Sequence, residues 1–225
     1  MTPDERWLAA VWPFVTSWLP EPPAAVVEIG CGPLGGFVPR LRDAGYAADG
    51  VDPEAPDGPW YHQTEFERYD MTGPAQAVVA CTSLHHVGDV GQVLDLAGAR
   101  LMPGGRLVVV EWARERFDEP TARWCFGRLP PPSEEDPGWL QNRCDQWRAS
   151  GLAWDEYCQA WAEDEGLHAG QHIVRELDSR FDRQWLARGP YFFPDLAGVS
   201  EADEQAAIDA GEIQANRIAY VGRRR

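Results

Sequence analysis

The sequence predicts an α/β fold, a mostly parallel sheet covered by helices, and three observations carry that expectation. Residues 25–29 (AVVEI) form a short apolar run rich in β-branched residues that stops at a glycine cluster. Phe37, Val38, Leu41 and Ala44 follow at helical spacing, and residues 47–51 (AADGV) make a second short strand, completing one βαβ unit. Farther on, 76–82 (QAVVACT) and 106–112 (RLVVVEW) are apolar in the manner of strands buried on both faces.

The elements follow in order. Residues 4–19 space Trp7, Leu8, Val11, Phe14, Val15 and Leu19 near the helical period, with Pro13 expected to kink or divide the helix and Pro20 to end it. Gly45 closes the helix after the glycine cluster. The stretch 53–59 is a proline- and glycine-punctuated loop, and 60–66 reads as a third strand. Residues 90–101 read as a helix and Pro103-Gly104-Gly105 as the turn into 106–112. From about 113 to 182 the alternation stops. Trp124, Trp139, Trp147, Trp154 and Trp161 lie there among acids and arginines, with a break at Pro130-Pro131-Pro132. This stretch is expected to be a helical insertion, with 1–112 and 183–225 as the core. Residues 183–193 resume strand-like alternation. Ser200 is a helix N-cap with Asp203 in the first turn, Gly211 stops that helix, and 216–222 (NRIAYVG) is the last strand.

Composition narrows the function. Thirty-six acids against 20 bases, all of them arginine, give a formal charge of −16. So acidic a chain repels phosphate backbones and anionic membranes, which argues against nucleic acid as a partner. Arg223-Arg224-Arg225, the only tight basic run, reads as a solvated tail. No stretch approaches the roughly 18 uncharged apolar residues of a membrane span. The start lacks the basic region of a secretory signal. Five cysteines (31, 81, 125, 144 and 158) at no close spacing fit a reduced, cytoplasmic setting.

Gly30, Gly32 and Gly35 satisfy G-x-G-x-x-G, which lets backbone approach a ligand at a helix N-terminus. Asp52, at the end of the second strand, lies where a carboxylate can hold ribose hydroxyls. Together they point to a nucleoside ligand; a plain tight turn beside an acidic loop residue is the alternative.

The wider blocks are more specific. V-V-E-I-G-C-G-P-L-G-G resembles the first motif of class I S-adenosylmethionine-dependent methyltransferases, and A-A-D-G-V-D-P their second-strand motif. A-V-V-A-C-T-S-L-H-H-V and A-R-L-M-P-G-G-R-L-V-V-V-E-W resemble the fourth and fifth, so the match spans about 24–112 in order and spacing. The resemblance implies a Rossmann-like, seven-stranded, mostly parallel sheet between helices, with an antiparallel last strand. It implies S-adenosylmethionine as cofactor and S-adenosylhomocysteine as product. Glu28, Gly30, Cys31 and Gly32 would lie along the methionine portion, Glu28 acting through the loop or a water. Asp52, followed by Pro53, would take the ribose hydroxyls. Glu65 and Phe66 would contact the adenine, with Asp70 as the other choice. Ser83 and Leu84 would line the methyl-donor pocket.

His85 and His86 follow a buried strand at the carboxyl edge of the sheet, where open α/β folds bind ligands. Histidine is the side chain best matched to proton transfer near neutral pH. Glu111 ends the adjoining strand and could orient one imidazole. This trio resembles that of the rebeccamycin-type sugar O-methyltransferases, which implies removal of a proton from a hydroxyl. A ring packed over the cofactor or capping a loop is the alternative. His168 and His172 have metal-ligand spacing but no third ligand, so no metal is expected, and His62 is read as a strand residue without chemistry. The tryptophans of the insertion either wall an acceptor pocket or fill the core of a cap, and Tyr191 either reaches the mouth of the site or is buried.

The expectation is thus a cytoplasmic methyltransferase, monomer or homodimer, acting on a small molecule, in the first instance on the hydroxyl of a sugar or of another metabolite, aromatic ones included. Alternatives are a quinone or lipid C- or N-methyltransferase, and a non-catalytic cofactor-binding partner subunit.

Overall fold

The computed structural model describes residues 1–71, 73–131 and 138–225, so Pro132 of the expected proline break lies outside the described residues. Seven strands form one sheet: β1 (Ala25–Ile29), β2 (Ala47–Val51), β3 (Tyr61–His62), β4 (Ala75–Cys81), β5 (Leu101–Trp112), β6 (Phe181–Gly189) and β7 (Arg217–Arg224). Their order is β3-β2-β1-β4-β5-β7-β6. The first five run parallel, and β7 is antiparallel to both β5 and β6. The Rossmann-like, mostly parallel sheet expected from the sequence is therefore present.

Alternation along the strands divides the core into two layers. Ala77, Val79, Val108 and Val110 face helices α1 (Pro3–Trp18) and α2 (Val38–Asp43). Val78, Ala80, Leu107 and Val109 face α3 (Val90–Arg100) and α7 (Gly170–Arg180). Burial of both faces is what the apolar runs of β4 and β5 require.

Several local expectations are corrected. Pro13 does not divide α1. It sits on the exposed face while Val11 and Val15 are buried opposite, and the Thr2–Glu5 capping box fixes the start. The strand expected over 60–66 shrinks to β3, because pairing with β2 ends at Asp52 N–H to His62 O and Phe66 enters a 3-10 turn. β6 stops at Gly189 rather than 193: Pro190 has no N–H, and the next three N–H groups donate to the buried Glu204 carboxylate at 2.7–3.1 Å. The turn at 103–105 interrupts β5, whose register with β4 jumps from Ala75–Leu101 to Ala77–Arg106. The terminal arginines are no free tail, although Arg223 and Arg225 stay exposed. Arg223 and Arg224 belong to β7, and Arg225 pairs with Asp182 at 3.0 Å and donates to carbonyls of Asp178 and Ser179.

Between β5 and β6 the chain is helical: α4 (Glu119–Phe126), α5 (Trp139–Ser150), α6 (Trp154–Asp164) and α7. The first three share a third core with Trp112, Phe117, Phe192 and Phe193. Helix α7 lies instead on the sheet, where Ile173 and Leu177 join the α3 layer. Its first residue is glycine because a Cβ there would lie 2.6 Å from Ile218 Cδ1 and 2.8 Å from Ala113 Cα. The remaining helix, α8 (Glu201–Asp209), starts at the expected Ser200–Asp203 capping box.

Candidate functional site

The strand order reverses between β1 and β4, so the loops leaving these two strands part and open a crevice at their carboxyl ends. A cavity of about 570 Å³ occupies it. Gly30, Cys31 and Gly32 line one side, Thr82, Ser83 and His86 another, and Asp52, Pro53, Glu65 and Phe66 a third.

Close packing makes the glycine turn specific. Gly30 has φ +74°, and a Cβ on it would stand 2.1 Å from Ser83 Cβ. The Ser83 hydroxyl donates to Ile29 O at 2.9 Å, holding the β1 and β4 ends together. Gly36, at φ +54°, presses against Glu28, whose Oε2 accepts the Phe37 N–H at 2.8 Å. Glu28 thus anchors the chain where α2 begins. Burial raises its pKa to about 8, against the lowering effect of backbone N–H groups. Asp52 accepts Gly32 N–H at 2.9 Å on Oδ2 and Glu54 N–H at 2.7 Å on Oδ1, so one carboxylate sets both loops. Burial pushes the Cys31 thiol up to about 12, leaving it protonated.

Asp4, Glu28, Asp52, Glu54, Glu65 and Glu67 line the cavity, and no arginine does. Of the two adenine alternatives, Glu65 and Phe66 border the cavity, whereas Asp70 is exposed outside it. Arg100 braces that loop: its guanidinium donates to the carbonyls of Phe66 and Tyr69 and lies 4.4 Å over the Phe66 ring. Leu84, expected at the pocket, turns into the α3 layer instead and is buried there.

The histidines divide. His86 opens to the cavity. His85 is buried, and its Nδ1 lies 2.5 Å from Glu111 Oε1. Glu111, wholly buried, also accepts the N–H groups of Leu84 (2.9 Å) and Trp112 (2.7 Å). The two imidazole rings stand 4.1 Å apart, and the His85 ring meets the Trp112 ring edge-on at 5.8 Å. Crowding by protein, and then the neighbouring His85, hold the His86 pKa below the usual histidine value.

The other histidines are engaged structurally. His168 lies just before α7, its N–H donates to His85 O at 3.0 Å, and its Nε2 lies 2.8 Å from Val87 O. The His62 ring packs on Tyr69 at 4.5 Å. No set of three metal-ligating side chains converges among the described residues, and no helix among them is long and apolar enough to cross a membrane.

Two contributions escape sequence reasoning. Helix α1 roofs the cavity with Asp4, Trp7 and Leu8, and is fastened by Arg6, which donates to the carbonyls of Phe193, Pro194, Leu196 and Val199. A pattern that marks a helix as amphipathic does not say which ligand its apolar face covers. Thr82 takes φ +52°, a left-handed conformation costly for a β-branched residue, at the cavity wall. Only a glycine or asparagine would have announced it.

A family profile described as a methyltransferase domain matches residues 5–188. No curated protein sequence matches the chain. Among solved structures, the N-methyltransferase NodS of Bradyrhizobium japonicum, in complex with S-adenosylhomocysteine, is 15% identical with a TM-score of 0.53, covering 99% of this chain and 88% of its own. An S-adenosylmethionine-dependent methyltransferase of Mesorhizobium loti is 19% identical, TM-score 0.57, covering 96% and 98%. The geranyl diphosphate C-methyltransferase of Streptomyces coelicolor is 14% identical, TM-score 0.54, covering 96% and 76%. At these identities the likeness is one of fold.

Proposed function

The chain belongs to the methyltransferase-domain family, and from that premise we propose that it methylates a hydroxyl of a small molecule, a sugar or another metabolite, with His85 as the base. S-adenosylmethionine supplies the methyl group on a positively charged sulfur. The cavity supports that donor: five carboxylates besides the protonated Glu28, and no arginine, line it, a field that favours a cation and disfavours a phosphate-bearing coenzyme. The Asp52 carboxylate keeps lone pairs beyond its two backbone N–H groups, enough for ribose hydroxyls. Gly30 and Gly32 bring backbone against the methionine portion, and Glu65 and Phe66 flank the adenine. Helix α1 and Trp7 exclude water from above. Of the insertion expected over 113–182, the helices before α7 form the lid that selects the acceptor, since α7 packs on the sheet.

One observation carries the base assignment: the 2.5 Å contact between His85 and Glu111. Two backbone N–H groups converge on the same carboxylate, so it acts as an acceptor and His85 donates from Nδ1. Nε2 then holds the lone pair that takes the hydroxyl proton as the oxygen attacks, and Glu111 stabilises the imidazolium that forms. His86, neutral because its pKa is lowered, places no positive charge beside the sulfonium.

Mass spectrometry of a cell extract incubated with the enzyme and a deuterated methyl donor identifies the acceptor. With it, His85→Ala is expected to lower turnover about 10²- to 10⁴-fold and leave donor affinity intact, while His86→Ala changes turnover by less than about tenfold. Near-full turnover in His85→Ala overturns the base; failure of S-adenosylhomocysteine to bind in calorimetry overturns the whole reading.

A further inference from the structure

Beside the His85–Glu111 pair stands a group of aromatic rings whose polar atoms are unequally served. Trp154 donates its indole N–H to Phe117 O at 2.6 Å, Trp147 to Leu152 O at 3.0 Å, and Trp7 to Cys81 Sγ at 3.4 Å. Trp112 Nε1 and Trp161 Nε1 are buried without a partner among the described residues. These two rings are neighbours, 5.6 Å apart. Trp112 is also the ring that touches His85, and Tyr191 stacks on it at 5.8 Å and 12°. Trp139 meets it edge-on at 5.6 Å.

An unpaired buried donor costs roughly 1–3 kcal/mol; Trp112, whose ring touches that of the proposed base, and Trp161, whose ring touches Trp112, each leave an N–H open to an oxygen acceptor. We infer that Trp112 and Trp161 are the donor pair of the acceptor subsite, and that its ligand is a flat, mainly apolar ring carrying a carbonyl oxygen beside the hydroxyl to be methylated. The inference rests on the methyltransferase reading and narrows its substrate class. A sugar fits this chemistry poorly. Each of its several hydroxyls needs a partner once desolvated, and the rings gathered here are those of Trp112, Trp139, Trp161 and Tyr191. A planar ring instead stacks on such a face once a neighbouring ring has turned aside. Its carbonyl takes the indole N–H groups, and its hydroxyl lies toward His85. Trp161, half-buried under Arg143 at 4.7 Å, is the ring that turns to admit it.

The experiment uses full-length protein with ¹⁵N-labelled tryptophan, saturated with S-adenosylhomocysteine. Trp112→Phe and Trp161→Phe assign the two indole resonances. The probes are 4-hydroxyacetophenone, toluene and methyl α-D-glucopyranoside. The expected result is a downfield shift of both indole protons with 4-hydroxyacetophenone alone. Replacing Trp112 by β-(3-benzothienyl)alanine, which keeps the ring but lacks the N–H, should weaken that probe up to about tenfold without lowering Tm. Indole protons unmoved by the ketone, or moved by the glucoside, overturn the inference, as does a lower Tm with unchanged affinity, which marks an N–H satisfied internally. Silent indoles on a protein that binds S-adenosylhomocysteine sink this inference alone. A protein that does not bind it sinks the methyltransferase reading.

Discussion

The crevice above β1 and β4 and the aromatic group above β5 adjoin one another, yet they are built on opposite logic. The crevice is made by backbone: glycines at positive φ, a carboxylate holding two loops by their N–H groups, and a serine hydroxyl tying one strand end to the next. The aromatic region is made by side chains. Its rings meet at 5–6 Å in varied orientations, and its helices contribute surface rather than main-chain groups. A backbone site tolerates little change at a few positions. A side-chain site spreads its tolerance over many.

The sharpest way to break this contrast is Gly30→Ala. A methyl group 2.1 Å from Ser83 Cβ, on a residue at φ +74°, forces the two loops apart. We expect calorimetry to find no donor binding. Gly32→Ala has the same sign of φ but nothing within 4 Å, so only conformational strain of about 1–2 kcal/mol should appear, weakening the donor roughly five- to thirtyfold. Equal effects of the two would mean that packing is irrelevant in the turn.

In the aromatic region the matching experiment is β-(3-benzothienyl)alanine at position 154. It deletes the donor to Phe117 O and leaves that buried carbonyl unserved, so a loss of about 1–3 kcal/mol and a fall in Tm of roughly 3–10 °C are expected, unlike at position 112.

A titration probes the crevice in a third way. The folded-state pKa of Glu28 is raised to about 8 from an ordinary 4.5, so the folded chain holds a proton there that the unfolded chain has released. Its contribution to stability is full below about 4.5, declines as pH rises to about 8, and is constant above. The stability difference between the protein and Glu28→Gln should follow that curve in thermal melts from pH 5 to 9; a flat difference would show that Glu28 is ionised throughout. The smallest effect belongs to the exposed face of α4. Arg123 and Glu119 pair in the open, and Arg123→Ala should change stability by less than about 1 kcal/mol in denaturant melts.

The same contrast governs what the sequence discloses. Backbone requirements have residue signatures, so Gly30, Gly32 and Asp52 stand out by type and spacing, as do the apolar runs that become β4 and β5. Ser200 and Asp203 declare a helix start for the same reason. Side-chain arrangements do not advertise themselves. His85 and His86 look equivalent in sequence, and only the packing of β4 against β5 decides that His85 meets Glu111 while His86 opens to the cavity. Leu84 illustrates the parity problem: one step along an irregular turn carries it from the expected pocket into the α3 layer. The end of β6 was illegible because the group that redirects residues 191–193, Glu204, arrives from a helix far along the chain.

The four carbonyls gripped by Arg6 bear on the order in which the molecule is completed. The nearest of them, on Phe193, is 187 residues downstream. At roughly 5–20 residues per second, a ribosome takes on the order of 10–40 s to supply it. Through that interval the first helix rests on the sheet by its apolar face alone, without these four carbonyl contacts, although strands one to five already exist. The roof over the crevice is therefore locked only after residues 193–199 have been made.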